Sequence, residues 1–271
     1  MKYFILIVAS FFYSVNLTAG SVDTVSVYSN SMHKEIKSVV IKPDTYGATE
    51  NKFPVVYLLH GYGGWYSNWI IRVPELKEYA DTYQTIIVCP DGDKSSWYFD
   101  SPIDSAYRYE TFVSFELVDY VDKHFKTLAD KKHRAITGLS MGGHGGLFLG
   151  LRHATVFGAA GSMSGAVDLK DSRSKYEIMK RIGDTISHSR EWHDLTVINL
   201  IENHRATDLK IVFDCGDEDI FIESNRRLHE KMKQLKVLHE YIERPGKHNW
   251  EYWKNAIPFQ LLFFQRFFNG G

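Results

Sequence analysis

The sequence predicts an α/β protein with a mostly parallel central sheet covered by helices on both faces. Short apolar, β-branched runs ending in Gly, Asp or Pro alternate with segments of helical periodicity, which is typical of βαβ units. The runs lack polar alternation, as expected of strands buried on both faces. The 271 residues are 44% hydrophobic and 24% charged, a composition that excludes disordered, collagen-like and small disulfide-rich proteins.

Residues 1–20 precede this pattern and are predicted to be a cleaved secretory signal peptide. Lys2 gives a short positive region, Tyr3 to Tyr13 are almost free of polar groups, and Ala19-Gly20 supplies small residues at a cleavage site. The apolar run is shorter than the ~20 residues that span a bilayer. We therefore expect a secreted or periplasmic protein, without stable membrane insertion, whose single catalytic domain covers 21–271.

The domain is predicted to begin with an antiparallel pair at Val25–Tyr28 and Ile36–Ile41. The later strands are predicted at Val55–Leu59, Thr85–Cys89, Ala135–Thr137, Ala159–Met163, Ile211–Cys215 and His239–Glu243. Apolar residues at i, i+3, i+4 and i+7 spacing predict helices at Tyr109–Phe125, Gly145–His153, Asn225–Leu235 and Pro258–Phe268. The polar segment 168–208 is predicted to be a helical insertion beside the sheet.

Charge and motif content limit the classes of partner. Lys+Arg number 32 against 33 Asp+Glu, a formal net charge of -1, so no global field attracts nucleic acid. The sequence shows no metal-ligand cluster, phosphate-binding loop or basic stripe. We therefore expect no metal, no cofactor and no nucleic-acid partner, while the oligomeric state is left open.

A nucleophile motif follows the predicted strand at Ala135–Thr137. Gly138-Leu139-Ser140-Met141-Gly142 matches G-x-S-x-G, in which small flanking residues allow a strained strand-to-helix turn to expose the serine. A helix with small residues follows, and its positive N-terminal end would face Ser140. The pattern predicts that Ser140 is a catalytic nucleophile.

A serine nucleophile needs a base and an acid that orients the base, in the chain order Ser, acid, His for this arrangement. His248 lies in the loop after the last predicted strand and is the predicted base. Asp219 lies past the turn at Gly216 and is the first choice for the acid. The alternative acids, which stay open at this point, are Asp217, Glu218 and Asp214.

Attack on an ester carbonyl also requires two preorganised hydrogen-bond donors for the oxyanion. The Met141 backbone N–H, at the start of the helix, is one candidate. The Tyr62 backbone N–H, in the loop after Val55–Leu59, is the other. His60 in the same loop is predicted to have a structural role that holds the loop in place.

At this point the sequence resembles the esterase D type of α/β-hydrolase, which includes feruloyl and acetyl-xylan esterases of carbohydrate esterase family one, S-formylglutathione hydrolases and mycolyl transferases. The resemblance covers about 50 to 265. It rests on Leu58-Leu59-His60-Gly61, Asp91-Gly92, Ser96-Trp97-Tyr98, Tyr109-Glu110-Thr111-Phe112, Arg134 to Gly143, Phe157-Gly158-Ala159-Ala160, Cys215 to Asp219 and Gly246-Lys247-His248-Asn249-Trp250.

The resemblance implies an α/β-hydrolase fold and a specific set of site residues. It implies Ser140 as nucleophile, Asp219 as acid, His248 as base, and oxyanion donors at Met141 and Tyr62. Secreted members of the family act mostly on esters of plant polysaccharide. The expected substrate is therefore a small ester or a feruloylated or acetylated polysaccharide, from which ferulate or acetate is released. Alternatives are acyl transfer to a sugar, hydrolysis of a siderophore-type polyester, and a non-catalytic carbohydrate-binding scaffold.

Aromatic residues cluster after the predicted strand ends. The residues predicted to contact substrate are Trp97, Tyr98, Trp250 and Phe221. They belong to a set of ten rings expected near Ser140, about half of which should pack in the core: Trp65, Tyr66, Trp69, Trp97, Tyr98, Phe99, Phe221, Trp250, Tyr252 and Trp253. Flat rings at such a place suit stacking on a phenolic acyl group or a sugar face.

The two cysteines, Cys89 and Cys215, are predicted to be free. In the strand order expected for this fold, three strands separate the strands on which they lie. That corresponds to about 19 Å at about 4.8 Å per strand, well beyond the limit of about 7 Å between Cα atoms of a disulfide.

Overall fold

The computed structural model describes residues 20–203 and 208–271, so the predicted signal peptide lies outside the described residues except for Gly20. An eight-stranded sheet forms the centre of the molecule. Its strands are β1 (Ser21–Ser29), β2 (Lys34–Lys42), β3 (Val55–Leu59), β4 (Ile86–Pro90), β5 (Arg134–Gly138), β6 (Ala159–Met163), β7 (Lys210–Gly216) and β8 (Glu240–Arg244).

The sheet has the order β1-β2-β4-β3-β5-β6-β7-β8. The first two strands pair antiparallel, β2 pairs antiparallel with β4, and all pairs from β4 to β8 are parallel. The predicted fold class is therefore confirmed. Parallel strands place their carboxyl ends at one edge, so the loops after β3, β4, β5, β7 and β8 meet there.

Helices cover both faces of the sheet. They are α1 (Asn68–Arg72), α2 (Leu76–Tyr83), α3 (Tyr109–Thr111), continued by a π-helix (Phe112–Glu116) and α4 (Leu117–His124), α5 (Met141–Arg152), α6 (Met179–Ile182), α7 (Ser189–Asp194), α8 (Val197–Leu200), α9 (Ile222–Gln234) and α10 (Trp250–Phe268). Apolar residues of α4, α5 and α9 pack in one core, and those of α1, α2 and α10 pack in the other. Both faces of the inner strands are thus shielded from water.

The last helix begins eight residues earlier than Pro258, where the sequence pattern placed its start. The Asn249 side chain accepts a hydrogen bond from the Tyr252 backbone N–H at 3.0 Å and caps the new N-terminus. Pro258 lies inside the helix. The predicted start at Pro258 rested on apolar spacing alone, which did not reveal the asparagine cap.

A buried polar network fastens α10 to the sheet. The Asp214 carboxylate on β7 accepts hydrogen bonds from the Tyr252 hydroxyl at 3.0 Å and from the Gln260 side-chain amide at 2.8 Å. Gln260 also accepts a hydrogen bond from the Thr137 hydroxyl on β5. Burial raises the pKa of Asp214 to about 6. Asp214 therefore has a structural role in the core, where it joins β7 to α10.

Cys89 and Cys215 are both free and buried. Strands β3, β5 and β6 lie between β4 and β7, which carry them, as predicted. Burial also raises the pKa of both thiols, so neither is a reactive thiolate at neutral pH.

Short helical turns connect β6 to β7. They are a 3-10 turn at Leu169–Ser172, the helices α6, α7 and α8, and a 3-10 turn at Ile201–Asn203. Tyr176 and Glu177, between the first turn and α6, both have a positive φ of 55°. This turn reaches the carboxyl edge of the sheet, where Lys94 donates to the Glu177 carboxylate at 2.9 Å.

Candidate active site

Ser140 lies at the junction of β5 and α5 in a strained backbone conformation. Its φ is 55° and its ψ is -115°, a region that side-chain-bearing residues rarely occupy. The flanking glycines are required by close packing against β3. A Cβ at Gly138 would lie 2.6 Å from the Leu59 carbonyl oxygen, and one at Gly142 would lie 2.5 Å from the His60 carbonyl oxygen. The G-x-S-x-G spacing therefore follows from backbone contact between two strand ends.

The loops after β7 and β8 bring an acid and a histidine to this serine. His248 Nε2 lies 2.9 Å from Ser140 Oγ, and His248 Nδ1 lies 3.0 and 2.9 Å from the two carboxylate oxygens of Asp219. The Asp219 carboxylate is fully buried and also accepts a hydrogen bond from the Phe221 backbone N–H at 2.8 Å. The structure thus brings together the three residues that the sequence nominated.

The alternative acids point elsewhere. Asp217 is exposed and accepts a hydrogen bond from the Gly246 backbone N–H, while Glu218 pairs with Lys247. Asp214 is bound to Tyr252 and Gln260, as described above. None of the three is hydrogen-bonded to His248, whose Nδ1 contacts Asp219 alone among the described carboxylates.

This geometry sets the tautomer of His248. A carboxylate can only accept hydrogen bonds, so Nδ1 carries the proton and donates it to Asp219. Nε2 then has a free lone pair directed at the Ser140 hydroxyl. The arrangement can therefore remove the Ser140 proton as Oγ attacks an electrophile, and the carboxylate stabilises the imidazolium that forms.

The two candidate oxyanion donors lie beside the nucleophile. A Cβ at Gly61 would lie 3.3 Å from the Ser140 Cβ, so the backbone that leads into Tyr62 passes directly against Ser140. Met141 is the first residue of α5, where a backbone N–H has no acceptor within the helix. Within residues 20–203 and 208–271, neither the Tyr62 nor the Met141 amide donates to another protein group. Both remain available to an oxygen of a bound ester.

His60 holds the oxyanion loop and is held neutral. Its Nδ1 lies 2.8 Å from the Gly61 carbonyl oxygen, to which it donates, and its Nε2 accepts a hydrogen bond from the Gly92 backbone N–H at 2.8 Å. Burial lowers the pKa of His60. Because both ring nitrogens are occupied by the backbone of the loops after β3 and β4, His60 has the structural role that the sequence predicted.

An open cleft of about 500 Å³ leads to Ser140 and His248. Its lining includes three indole rings and two phenol rings, together with one arginine: Trp65, Trp250, Trp253, Tyr62, Tyr176 and Arg72. Tyr176 packs edge-on against Tyr62, with their ring centroids 5.4 Å apart. The cleft thus offers flat apolar walls next to the nucleophile.

The residues predicted to bind substrate divide into two pairs. Trp250 lines the cleft. Phe221 lies edge-on to His248, with ring centroids 5.2 Å apart, but its side chain is buried and packs behind the histidine. Both residues therefore lie on the His248 side of the cleft, and of the two only Trp250 is among the residues that line it.

The prediction for Trp97 and Tyr98 is corrected by the structure. Their exposed fractions are 1% and 0%, and their φ angles of 57° and 58° turn the loop after β4 inward. Trp97 Nε1 donates a hydrogen bond to the Tyr176 carbonyl oxygen. The Tyr98 hydroxyl donates to the carbonyl oxygen of His60, in the loop after β3. Both rings therefore brace the loops that frame the cleft and do not line it.

The ten-ring set divides much as expected. Trp65, Trp250 and Trp253 line the cleft. Six rings are almost completely buried, each with an exposed fraction of 4% or less: Trp69, Trp97, Tyr98, Phe99, Phe221 and Tyr252. Sequence reasoning missed Tyr176 and Arg72 as cleft residues. Tyr176 lies in the polar segment before α6, and Arg72 ends a helix that the sequence analysis did not predict, so no motif marked either residue.

In residues 20–203 and 208–271, no group of three or more His, Cys, Asp or Glu side chains is placed to hold a metal ion. In the same part of the chain, no helix has the length and apolar character needed to cross a bilayer.

Comparison with known proteins agrees with the fold. The family model for esterases matches residues 29–264. The acetyl esterase of Caldicellulosiruptor saccharolyticus is 26% identical over 86% of this chain and 94% of its own length. An endo-1,4-beta-xylanase/feruloyl esterase of Xylanibacter ruminicola is 29% identical over 64% of this chain and 26% of its own length. A solved ferulic acid esterase superposes with a TM-score of 0.80 at 28% identity, covering 92% of this chain and all of that one.

The fold and these neighbours define an α/β-hydrolase. Within that class, the chain belongs to the esterase family and is an esterase.

Proposed function

We propose that the protein hydrolyses carboxylic esters of plant cell wall xylan, releasing ferulate or acetate through a Ser140–His248–Asp219 triad. The observation that carries the proposal is the continuous chain of hydrogen bonds from Asp219 through His248 to Ser140 Oγ. Small esters of the same acids would also be substrates. No cofactor is required, because every proton transfer is assigned to a residue of this chain.

The reaction proceeds through an acyl-enzyme. Ser140 Oγ attacks the ester carbonyl carbon as its proton passes to His248 Nε2, and the carbonyl oxygen becomes an oxyanion held by the Met141 and Tyr62 amides. The tetrahedral intermediate collapses, and His248 returns the proton to the leaving alcohol oxygen. Water then attacks the acyl-serine with His248 again as base, which releases the acid and restores the serine.

The substrate class is supported by the relatives and by the cleft. One relative is named an acetyl esterase and another combines xylanase and feruloyl esterase. Indole rings of Trp65, Trp250 and Trp253 line the approach to Ser140. Such rings bind a phenolic acyl group or a sugar face through flat apolar contact.

An extracellular substrate requires export of the enzyme. We propose that residues 1–20 act as a cleaved signal peptide, which would place the enzyme outside the cell or in the periplasm. N-terminal sequencing of the protein recovered from the culture medium or periplasm tests this step. A mature chain that still carries Lys2 would contradict it.

Ser140→Ala tests the proposed chemistry. Initial rates are measured on methyl ferulate, acetylated xylan and 4-nitrophenyl acetate, with circular dichroism as the check on folding. We expect the folded variant to lose turnover on all three substrates because the nucleophile is absent. The matched control is Ser164→Ala, since Ser164 is buried after β6 and outside the hydrogen-bond chain to His248; it should keep its turnover. Undiminished turnover in Ser140→Ala would refute the proposal.

A further inference from the structure

Arg72 is an unpaired cation in a cleft that holds no acid. Of the fourteen residues that line the cleft, none is Asp or Glu, and Arg72 is the single Lys or Arg. Among the described residues, no carboxylate lies within ion-pair distance of its guanidinium. The guanidinium lies over the Trp250 ring, with its carbon 6.0 Å from the ring centroid. The two nearby lysines differ, because Lys94 pairs with Glu177 and Lys247 pairs with Glu218.

The position of Arg72 relates it to one half of the substrate. His248 must return its proton to the leaving oxygen, so the alcohol part of the ester lies on the histidine side of Ser140. Trp253 lies 5.0 Å from His248 between ring centroids, and Trp250 lies 5.4 Å from Trp253. Arg72 follows next to Trp250. The row from His248 to Arg72 is therefore a path for the alcohol part, with indole rings along it and a cation at its far end.

We propose that Arg72 selects esters whose alcohol part is an acidic saccharide, one whose uronate carboxylate pairs with the guanidinium. The inference rests on the proposed function, since it takes the alcohol to be a sugar. Indole rings accept the apolar faces of sugar units, and arginine binds a carboxylate through two parallel N–H donors. A neutral saccharide would make the ring contacts and leave Arg72 without its partner.

The test compares acidic and neutral forms of one substrate. Acetate release is measured from acetylated glucuronoxylan oligosaccharides and from the same oligosaccharides after removal of the uronate by an α-glucuronidase. The variants are Arg72→Gln, Arg72→Lys and, as a matched loss of positive charge away from the cleft, Arg190→Gln, whose side chain is 89% exposed. Turnover of 4-nitrophenyl acetate reports the chemistry independently of the saccharide.

We expect the kcat/KM of the wild type to be about fivefold higher on the acidic form. This factor is at the upper end of what an exposed ion pair contributes to binding. Arg72→Gln should remove this preference by raising KM on the acidic form, and its loss on 4-nitrophenyl acetate, which carries no carboxylate, should be smaller than its loss on the acidic form. Arg72→Lys should keep part of the preference, Arg190→Gln should keep all of it, and added salt should reduce it.

Three outcomes would overturn the inference. The first is a wild type without preference for the acidic form, and the second is an Arg72→Gln variant with the wild-type preference. The third is a preference for a carboxylate on the acyl part, detected as an Arg72-dependent gain on mono-4-nitrophenyl succinate that is absent on the oligosaccharides. A wild type that releases neither acetate nor ferulate from any substrate would instead refute the proposed function itself.

Discussion

Replacement of Asp219 by asparagine isolates the role of the acid, because the structure dictates how the amide must lie. Asp219 Oδ1 accepts a hydrogen bond from the Phe221 backbone N–H at 2.8 Å. An amide oxygen must keep that position, since an NH₂ group there would face another donor. The NH₂ group then takes the place of Oδ2, which lies 2.9 Å from His248 Nδ1.

The consequence is a reversed tautomer in His248. The nearer of the two oxygens that Nδ1 contacts becomes a donor, while the other, 3.0 Å from Nδ1, is shared with the Phe221 backbone N–H. We therefore expect Nδ1 to accept a hydrogen bond from the amide and the ring proton to move to Nε2, where it faces Ser140 Oγ. The base for the serine proton is then lost, although the geometry of the site is kept. In serine hydrolases a change of this kind costs about 10⁴-fold in kcat, which corresponds to about 5 kcal/mol in the activation free energy.

The assay is kcat and KM on 4-nitrophenyl acetate and methyl ferulate, with thermal unfolding as the check on folding. Asp217→Asn is the matched control, because Asp217 is an exposed acid two residues away, and it should stay within about twofold of the wild type. An Asp219→Asn variant within tenfold of the wild type would refute the reasoning. An equal loss in Asp217→Asn would show that the loop and not the tautomer is responsible.

Two further predictions concern buried groups. Because burial raises the pKa of Asp214 to about 6, the folded state holds a proton that the unfolded state has lost between about pH 4 and pH 6, so the contribution of Asp214 to stability falls as pH rises through this window. From pH 4 to pH 7, the unfolding free energy of Asp214→Asn relative to wild type should rise by about 2 kcal/mol in urea titrations; parallel pH profiles would contradict this. Cys89 and Cys215 should react with a thiol reagent only after unfolding, and reductant should leave Tm unchanged; rapid labelling of the native protein would contradict their burial.

The sequence predicted best what depends on local order along the chain. Ser140, Asp219 and His248 each follow a strand closely, and parallel strands bring their ends to one edge. Predicting the strands was therefore enough to predict that these three residues lie close together. The pairing register of the strands was not needed, because the loops that hold the three residues all begin at the same edge of the sheet.

The predictions failed where the direction of a side chain depends on loop conformation. Trp97 and Tyr98 follow β4 as expected, but their positive φ angles turn their side chains into the core. Tryptophan and tyrosine rarely adopt positive φ angles, so the residue types gave no sign of this conformation. Arg72 and Tyr176 reach the cleft from a short helix and a distant connection. Their proximity to Ser140 is a product of tertiary packing and leaves no local pattern in the sequence.

The left-handed backbone at Ser140 also sets the stability of the fold against its activity. A non-glycine residue in such a conformation costs of order 1–3 kcal/mol, and glycine would remove that cost together with the nucleophile. Stability and activity therefore favour different residues at position 140. The serine at φ 55° is therefore a position at which the fold gives up stability in order to carry the nucleophile.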